Sequence, residues 1–242
     1  MLIAGLQKIS LIDYPNKAAA VVFTGGCNFN CFYCHNREII NKSKIPQEMI
    51  IPEEKVFGFL KQRINKLDAV SITGGEPTMH KDLPDFIRKI KDLGFLVKLD
   101  SNGTNPEMLK KLIKENLVDY LAMDIKAPLT WSDYKKVIRI ENKNIFDKVL
   151  ESVKILNEGK VNYEFRTSMV DGQFTTGDIE KIIKKIKNNG TYYIQNFVNP
   201  EKDELDEEYK IMYNKLKPVK KNDLNEFVKK AKDLGQKTKI RL

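Results

Sequence analysis

Short runs of apolar residues alternate along this chain with segments whose apolar residues recur every three to four positions. The first pattern is typical of buried strands and the second of amphipathic helices. Six strands are predicted, at 18–24, 69–73, 95–99, 118–123, 161–169 and 191–198. Strands that alternate with helices indicate an α/β protein with a parallel sheet. The pattern alone leaves an open doubly wound sheet and a partial barrel as alternatives.

Helices are predicted between the strands. One begins at about Pro52 and places four apolar residues on one face: Val56, Leu60, Ile64 and Leu67. The next has Asp82 as its predicted cap and Gly94 as its stop. Later helices are predicted from Asn105-Pro106, at 145–158 and at 178–188.

The end of the chain carries charged helical segments after Asn199, one of which ends at Gly235. Their apolar positions are sparse, which favours a cover over the sheet rather than a second core. We therefore expect a single domain over 1–242, with its core at about 18–199 and covering helices at about 200–242.

Composition narrows the class of protein. The chain has 242 residues, of which 41% are hydrophobic and 31% are charged, as expected for a globular protein. The N-terminus lacks the features of a signal peptide, and no apolar run approaches the roughly 20 residues that span a bilayer. We expect a cytoplasmic protein without a membrane partner. The net charge of +9 is spread over many helices, which favours solvated faces over a nucleic-acid surface and suits an acidic redox partner.

All three cysteines lie in the stretch GGCNFNCFYCHN, residues 25–36. A structural zinc ion needs four ligands, and His35 is the only nearby fourth candidate beside Cys27, Cys31 and Cys34. The adjacent Cys34 and His35 would have difficulty pointing at one ion. A 4Fe–4S cube usually takes one thiolate on each iron. Three cysteines would therefore leave one iron open to a ligand from outside the protein.

Polar motifs follow the predicted strands where each one ends. The cysteine loop follows the first strand, TGGEP (73–77) the second, DSNG (100–103) the third and DIK (124–126) the fourth. Arg166 and Gln195 lie on the fifth and sixth strands. The carboxyl ends of parallel strands meet at one edge, so these motifs predict one site.

The residue types in these motifs suit a ligand that carries an amino acid and a nucleoside. The glycines with Glu76 offer a close backbone and acceptors for an amine, and Lys126 can neutralise a carboxylate. Asp100 and Asp124 could hold a cation or hydroxyl groups. Each motif alone has a structural explanation as a turn, a cap or packing. His80 is interpreted as a surface-helix residue without a functional role.

The Cys-x3-Cys-x2-Cys loop with Tyr33 before its last cysteine, followed by Gly-Gly-Glu-Pro, resembles the radical S-adenosylmethionine (SAM) superfamily. Asp-Ser-Asn-Gly and Met-Asp-Ile-Lys resemble the subset that activates glycyl radical enzymes. The opening SLIDYPNK is similar to activating proteins of anaerobic ribonucleoside-triphosphate reductase. The resemblance extends from about Leu6 to Asn199. It implies a partial (β/α)6 barrel of the radical SAM type, here with a helical C-terminal extension.

The resemblance also implies which residues bind the cluster and which bind SAM. A 4Fe–4S cluster is expected on Cys27, Cys31 and Cys34, and SAM is expected on its open iron. SAM is expected to contact Tyr33, His35, Gly74, Gly75, Glu76, Asp100, Asp124, Ile125 and Lys126, with Arg166 and Gln195 as further candidates. Asp100 together with Asp124 resembles a monovalent-cation site.

The implied activity is reductive cleavage of SAM to a 5'-deoxyadenosyl radical that abstracts a hydrogen from a glycine of a partner enzyme. The implied reductant is a flavodoxin or a ferredoxin. With only three cysteines, a second cluster is excluded. A radical SAM enzyme acting on a small molecule, such as a deazapurine precursor, is one alternative. A zinc-dependent nucleic-acid-binding module that uses the three cysteines and His35 is a more distant one.

Three residues depart from the pattern of the family. Asn16 stands where glycine usually follows Pro15, so a different turn is expected there. Ser101 replaces a common threonine beside the expected cation site. Gln195 stands where pyruvate formate-lyase activators have a histidine that contacts SAM, which argues against that particular activator.

Overall fold

The computed structural model describes residues 1–186, 190–199 and 207–241. Within these ranges the chain forms eight strands and eight α-helices. The strands are β1 Ile3–Ser10, β2 Ala19–Thr24, β3 Ala69–Gly74, β4 Leu96–Ser101, β5 Tyr120–Asp124, β6 Asn162–Met169, β7 Thr191–Asn196 and β8 Thr238–Arg241. The helices are α1 Glu53–Lys61, α2 Leu83–Asp92, α3 Pro106–Lys114, α4 Trp131–Ile138, α5 Lys143–Asn157, α6 Thr176–Ile183, α7 Glu207–Asn214 and α8 Lys221–Asp233.

The chain divides into two compact units. The first comprises Met1–Asn28, Asn36–Ala122 and Lys160–Asn162, and the second comprises Phe29–His35, Met123–Gly159 and Tyr163–Leu242. In the first unit, β1 to β4 lie side by side in chain order, with β1 antiparallel to β2 and the other pairs parallel. In the second unit, β6, β7 and β8 are parallel neighbours.

Burial explains why the strands could be read from the sequence. Strand β2 is buried from Ala19 to Val22, and β3 is buried from Ala69 to Ile72, as expected for parallel strands covered on both faces. Helix α2 buries one continuous apolar face made of Leu83, Pro84, Phe86, Ile87 and Ile90. All six predicted strands are present, so these predictions are confirmed.

Several local predictions need correction. Ile64 is 40% exposed, because α1 already ends at Lys61. Asp82 occupies the cap position of α2 but makes no capping hydrogen bond there. Its carboxylate instead lies 2.5 Å from the N-terminal amino group. Strands β1 and β8 and helix α4 were not predicted.

The predicted helix at 178–188 and the predicted cover at 200–242 are each described only in part. Residues 187, 188 and 200–206 lie outside the described residues. In the described part of the tail, α7 and α8 are helical as predicted, and α8 packs against α6. The tail also contributes β8, which pairs with β7 and so extends a sheet.

Asn16 keeps a glycine-like turn. Its φ angle is 58°, in the left-handed region where asparagine is one of the better tolerated residues after glycine. The replacement of glycine by Asn16 therefore does not require a different backbone conformation in this turn.

Candidate functional site

The Gly-Gly turn after β3 lies against the beginning of the cysteine loop. The backbone N–H of Gly75 donates to the carbonyl of Thr24 at 2.8 Å, and that of Glu76 donates to the carbonyl of Gly26 at 2.8 Å. A Cβ atom on Gly75 would lie 2.1 Å from the Gly26 oxygen, and Gly74 has a φ of 107°. Neither position has room for a side chain, so the local packing explains why both residues are glycines.

Glu76 connects the ends of β3 and β4. Its carboxylate is buried and accepts hydrogen bonds from the backbone N–H of Thr78 at 3.1 Å, its hydroxyl at 2.5 Å and the Ser101 hydroxyl at 2.9 Å. The backbone N–H of Asn102 donates to the second oxygen at 2.6 Å. Burial raises the pKa of Glu76, and these donors offset part of that effect. Ser101 therefore has a structural role through its hydroxyl, which a threonine also carries.

Cys27 belongs to the first unit and is bordered by amide side chains. The Asn102 side-chain amide donates to the Asn28 side-chain oxygen at 2.9 Å and lies 3.9 Å from the Cys27 sulfur. The Asn28 amide in turn donates to the hydroxyl of Thr104 at 2.8 Å. The DSNG motif is thus joined to the first cysteine by Asn102, a residue for which the sequence suggested no separate role.

The interpretation of His80 as a surface residue is wrong. His80 is buried, and its ring nitrogen Nε2 lies 3.0 Å from the carbonyl oxygen of Gly25, just before the cysteines. Burial lowers its pKa, and Lys42 adds to that effect, so the neutral ring is favoured. A neutral imidazole can donate to the Gly25 carbonyl through Nε2–H.

Asp100 is buried at the carboxyl end of β4. Its carboxylate accepts a hydrogen bond from the ammonium of Lys98, which lies on the same strand and is itself buried. Lys98 was not among the predicted site residues.

In the second unit, Asp124 lies at the end of β5 between two cations. Its carboxylate is 2.9 Å from Nε of Arg166 and 2.8 Å from Nζ of Lys126. Burial alone would raise the pKa of Asp124, but the Arg166 guanidinium and the Lys126 ammonium hold it well below its usual value. The backbone N–H of Ile125 donates to the Arg166 carbonyl at 2.7 Å, which fixes the DIK motif against β6.

The part of the cysteine loop in the second unit is held by α4. The backbone N–H of Asn30 donates to the carbonyl of Ile138 at 2.9 Å, and Phe29 packs edge-on against Tyr134. The Tyr134 hydroxyl oxygen accepts from the backbone N–H of Lys126 at 3.2 Å. Tyr134 therefore contacts both the cysteine loop and the DIK motif.

The C-terminal tail also contacts this part of the loop. The hydroxyl of Tyr213 on α7 donates to the carbonyl of Cys34. The Tyr213 ring stacks on Phe197, which packs against His35 with ring centroids 5.4 Å apart. Burial lowers the pKa of His35, and Lys126 lowers it further.

Tyr33 is the aromatic residue immediately before the third cysteine. Its hydroxyl is buried and has no hydrogen-bond partner in the part of the chain that the structure describes. Burial raises its pKa well above the usual value. Buried hydroxyls normally have a partner, so a polar group from a bound ligand would fit here.

Arg166 and Gln195 lie on neighbouring strands of the second unit. Arg166 is paired in register with Tyr193, two residues before Gln195, so both side chains project from the same face. Arg241 of β8 is in register with Gln195 and forms an ion pair with the buried Glu164 at 3.1 Å. Sequence reasoning missed this pair because β8 was not predicted.

The cysteines suit a cluster better than a disulfide pair. None of the three forms a disulfide. Within the described ranges, no three histidine, cysteine or acidic side chains lie close enough together to hold a single metal ion. The number of thiols and their spacing fit a three-cysteine 4Fe–4S loop, and the buried Tyr33 hydroxyl fits a polar ligand beside it.

Comparison with known proteins establishes the family. The model of the radical SAM superfamily matches residues 21–186. This chain belongs to the radical SAM superfamily. Membership implies a radical enzyme with a 4Fe–4S cluster and SAM, as the cysteine loop predicted. In the described ranges, no helix combines the length and apolar character needed to cross a membrane.

Two relatives in Methanocaldococcus jannaschii are provisionally named glycyl-radical enzyme activating enzymes. One is 39% identical over 234 residues, which cover 96% of this chain and 92% of the relative. The other is 30% identical over 186 residues, covering 76% and 68%. A protein of Pyrococcus horikoshii, provisionally named a GTP 3',8-cyclase, is 28% identical over 64% of this chain and 47% of its own length. The predicted resemblance to activating enzymes is confirmed.

Solved radical SAM structures share the fold. A radical SAM methyltransferase from Sphaerobacter thermophilus superposes with a TM-score of 0.68 at 13% identity, covering 94% of this chain and 67% of that chain. Streptococcus suis SuiB bound to S-adenosylmethionine gives a TM-score of 0.64 at 16% identity, covering 90% and 48%. The predicted α/β fold of the radical SAM type is confirmed.

Proposed function

We propose that this radical SAM enzyme activates a glycyl radical enzyme, with anaerobic ribonucleoside-triphosphate reductase as the first candidate partner. The observation that carries the proposal is the 39% identity to an activating-enzyme relative over 92% of that relative's length. The SLIDYPNK opening supports the choice of candidate partner.

The three cysteines are proposed to hold the cluster. When bound, the cluster and SAM supply a one-electron cleavage of the sulfonium carbon–sulfur bond. The products are methionine and, after removal of a glycine α-hydrogen from the partner, 5'-deoxyadenosine. The electron must come from an external reductant, proposed to be a flavodoxin or ferredoxin. The net charge of +9 favours approach of such an acidic protein.

The remaining residues are proposed to position SAM. The cationic side chains of Lys126 and Arg166 lie beside Asp124 and can bind the carboxylate of SAM. Ile125 lies between Asp124 and Lys126 in the DIK segment, which is hydrogen-bonded to β6. Tyr33 and His35 offer aromatic rings to the nucleoside, with Gln195 as a further contact.

At residues 74–76 we propose that the main chain contacts the amine. The Glu76 carboxylate already accepts four hydrogen bonds, three on Oε1 and one on Oε2. The Gly74 carbonyl accepts a hydrogen bond from the side-chain amide of Asn36 at 3.0 Å, which places a polar group of the cysteine loop beside this main chain. Asp100 completes the proposed SAM contacts in the first unit.

The test is anaerobic incubation of the cluster-loaded chain with SAM, dithionite and each glycyl radical enzyme encoded in the same genome. We expect 5'-deoxyadenosine together with a glycyl radical signal in electron paramagnetic resonance. The Cys34→Ala variant is the control and should yield neither. A loaded enzyme that forms 5'-deoxyadenosine but no radical in any candidate would contradict the proposed partner.

A small-molecule substrate is the second candidate. The similarity to the provisionally named GTP 3',8-cyclase supports it, although the match covers 47% of that protein. Repeating the incubation with GTP in place of a partner enzyme separates the two proposals, because a small-molecule enzyme would form 5'-deoxyadenosine faster with its substrate and would give no glycyl radical.

A further inference from the structure

Strand β4 carries an ion pair inside the first unit. Lys98 and Asp100 are two residues apart on this strand, so their side chains project from the same face. The Lys98 side chain is 1% exposed and that of Asp100 is 10% exposed. The Lys98 ammonium donates to the Asp100 carboxylate.

On the β3 side of Lys98, the neighbouring residues in the sheet are uncharged. Its register partner on β3 is Ser71, whose own partner on β2 is Val21. The Ser71 hydroxyl is buried and has no hydrogen-bond partner among the described residues. Neither of these two residues requires a cation beside it. Two well-packed apolar residues of similar volume are often as stable as a buried ion pair, so stability alone does not explain why these two positions carry charges.

The implied monovalent cation does not fit the carboxylates that were expected to hold it. Asp100 already receives the Lys98 ammonium, and Asp124 already receives the Lys126 ammonium and the Arg166 guanidinium. A sodium or potassium ion at Asp100 would have to lie beside a buried ammonium. Like charges repel strongly where water is scarce.

We propose that the Lys98 ammonium takes the place of the monovalent cation at Asp100, so that this chain binds SAM without sodium or potassium. The inference rests on the proposed function only for the identity of the ligand. Lys98 is a positioning residue, because it acts through Asp100.

The test compares wild type with Lys98→Met and Lys91→Met. Lys91 is the matched control, since its ammonium lies 2.7 Å from the Asp119 carboxylate in a more exposed pair. Two quantities are measured in sodium, potassium and choline chloride at equal ionic strength. They are the melting temperature of the cluster-free chain and the SAM affinity of the cluster-loaded chain.

The melting temperature and SAM affinity of wild type should be the same in all three salts. Those of Lys91→Met should likewise not change with the salt. In choline, Lys98→Met should melt at a lower temperature and bind SAM about tenfold more weakly. Sodium or potassium should restore most of both losses, because a small cation can occupy the space beside Asp100. A purely structural role of Lys98 would give no such rescue.

The proposal is wrong if wild type itself gains about fivefold in SAM affinity, or melts higher, in sodium or potassium than in choline. It is also wrong if a folded Lys98→Met variant has the same melting temperature and SAM affinity in sodium or potassium as in choline. If Lys98→Met fails to fold, the double variant Lys98→Met, Asp100→Asn removes both charges and should fold without a cation response. A wild-type chain that binds no SAM in any salt would refute the proposed function, while the melting series would still test Lys98.

Discussion

The imidazole Nε2 of His80 lies 3.0 Å from the carbonyl oxygen of Gly25, two residues before the first cysteine. The two residues are 55 positions apart in the chain, and the Gly-Gly-Glu-Pro segment ends three positions before His80. The histidine therefore supports the start of the cysteine loop from the motif that follows β3.

Replacing His80 with alanine should lower the free energy of unfolding by about 1–3 kcal/mol, because the Gly25 carbonyl loses a buried donor. His80→Gln keeps an N–H donor and should lose less. Urea denaturation of the cluster-free chain measures both, and Lys81→Ala, at an exposed neighbour, should change little. Equal stability of His80→Ala and Lys81→Ala would show that the contact does not support the loop.

Gly75→Ala should destabilise the chain by about 2 kcal/mol or more, since the new methyl group would meet the Gly26 main chain at 2.1 Å. The cysteine loop begins at that point, so the iron content after reconstitution should also fall. Gly58 in α1 is the control, because nothing lies within 4 Å of its added Cβ. Gly58→Ala should stabilise by about 0.5–1 kcal/mol and keep full iron content. Similar effects at both positions would contradict the close approach.

Asp124 should make the free energy of unfolding depend on pH. Its pKa is lower in the folded chain than in the unfolded chain, so its contribution is present above the ordinary carboxyl pKa and is lost as the pH falls. At pH 7, Asp124→Asn should be less stable than wild type by about 1–3 kcal/mol. The difference should shrink as the pH is lowered from about 5 towards 3. Denaturation curves across this range provide the measurement, and a difference that stays constant would rule out the ion pairs as its source.

Tyr213→Phe removes the hydroxyl that donates to the Cys34 carbonyl and leaves the stacked ring in place. We expect a loss of about 0.5–1.5 kcal/mol in unfolding free energy. The Cys34 thiol should also react faster with an alkylating reagent in the cluster-free chain. The exposed neighbour Ile211 provides a control, because Ile211→Ala should alter neither quantity. Unchanged thiol reactivity in Tyr213→Phe would show that the tail does not restrain the loop.

The parts of the fold that the sequence predicted are those where local pattern and burial coincide. Five of the six predicted strands are apolar over most of their length, and α2 repeats its apolar residues at helical spacing. Strand β1 was missed because residues 7–9 are exposed at an antiparallel edge, and two of them, Gln7 and Lys8, are polar. Strand β8 was missed because it is four residues long and mostly polar, and only pairing with β7 makes it a strand.

The candidate site shows the same division. The cysteine loop and the strand-end motifs carry unusual residues at short spacing, which a sequence displays directly. The contacts of His80 with Gly25 and of Tyr213 with Cys34 join segments 55 and 179 residues apart, and no local pattern reports such distances. Lys98 is different, because a lysine within an apolar strand, two residues before an aspartate, was a visible signal.

Because Lys98 and Asp100 are neighbours on a single strand, their ion pair needs no other segment to bring its members together. A protein that already has an aspartate at the end of this strand could acquire the internal cation through one codon change. It could lose the cation just as easily. A difference in salt requirement between two such enzymes could therefore arise in a single mutational step, without any rearrangement of the fold.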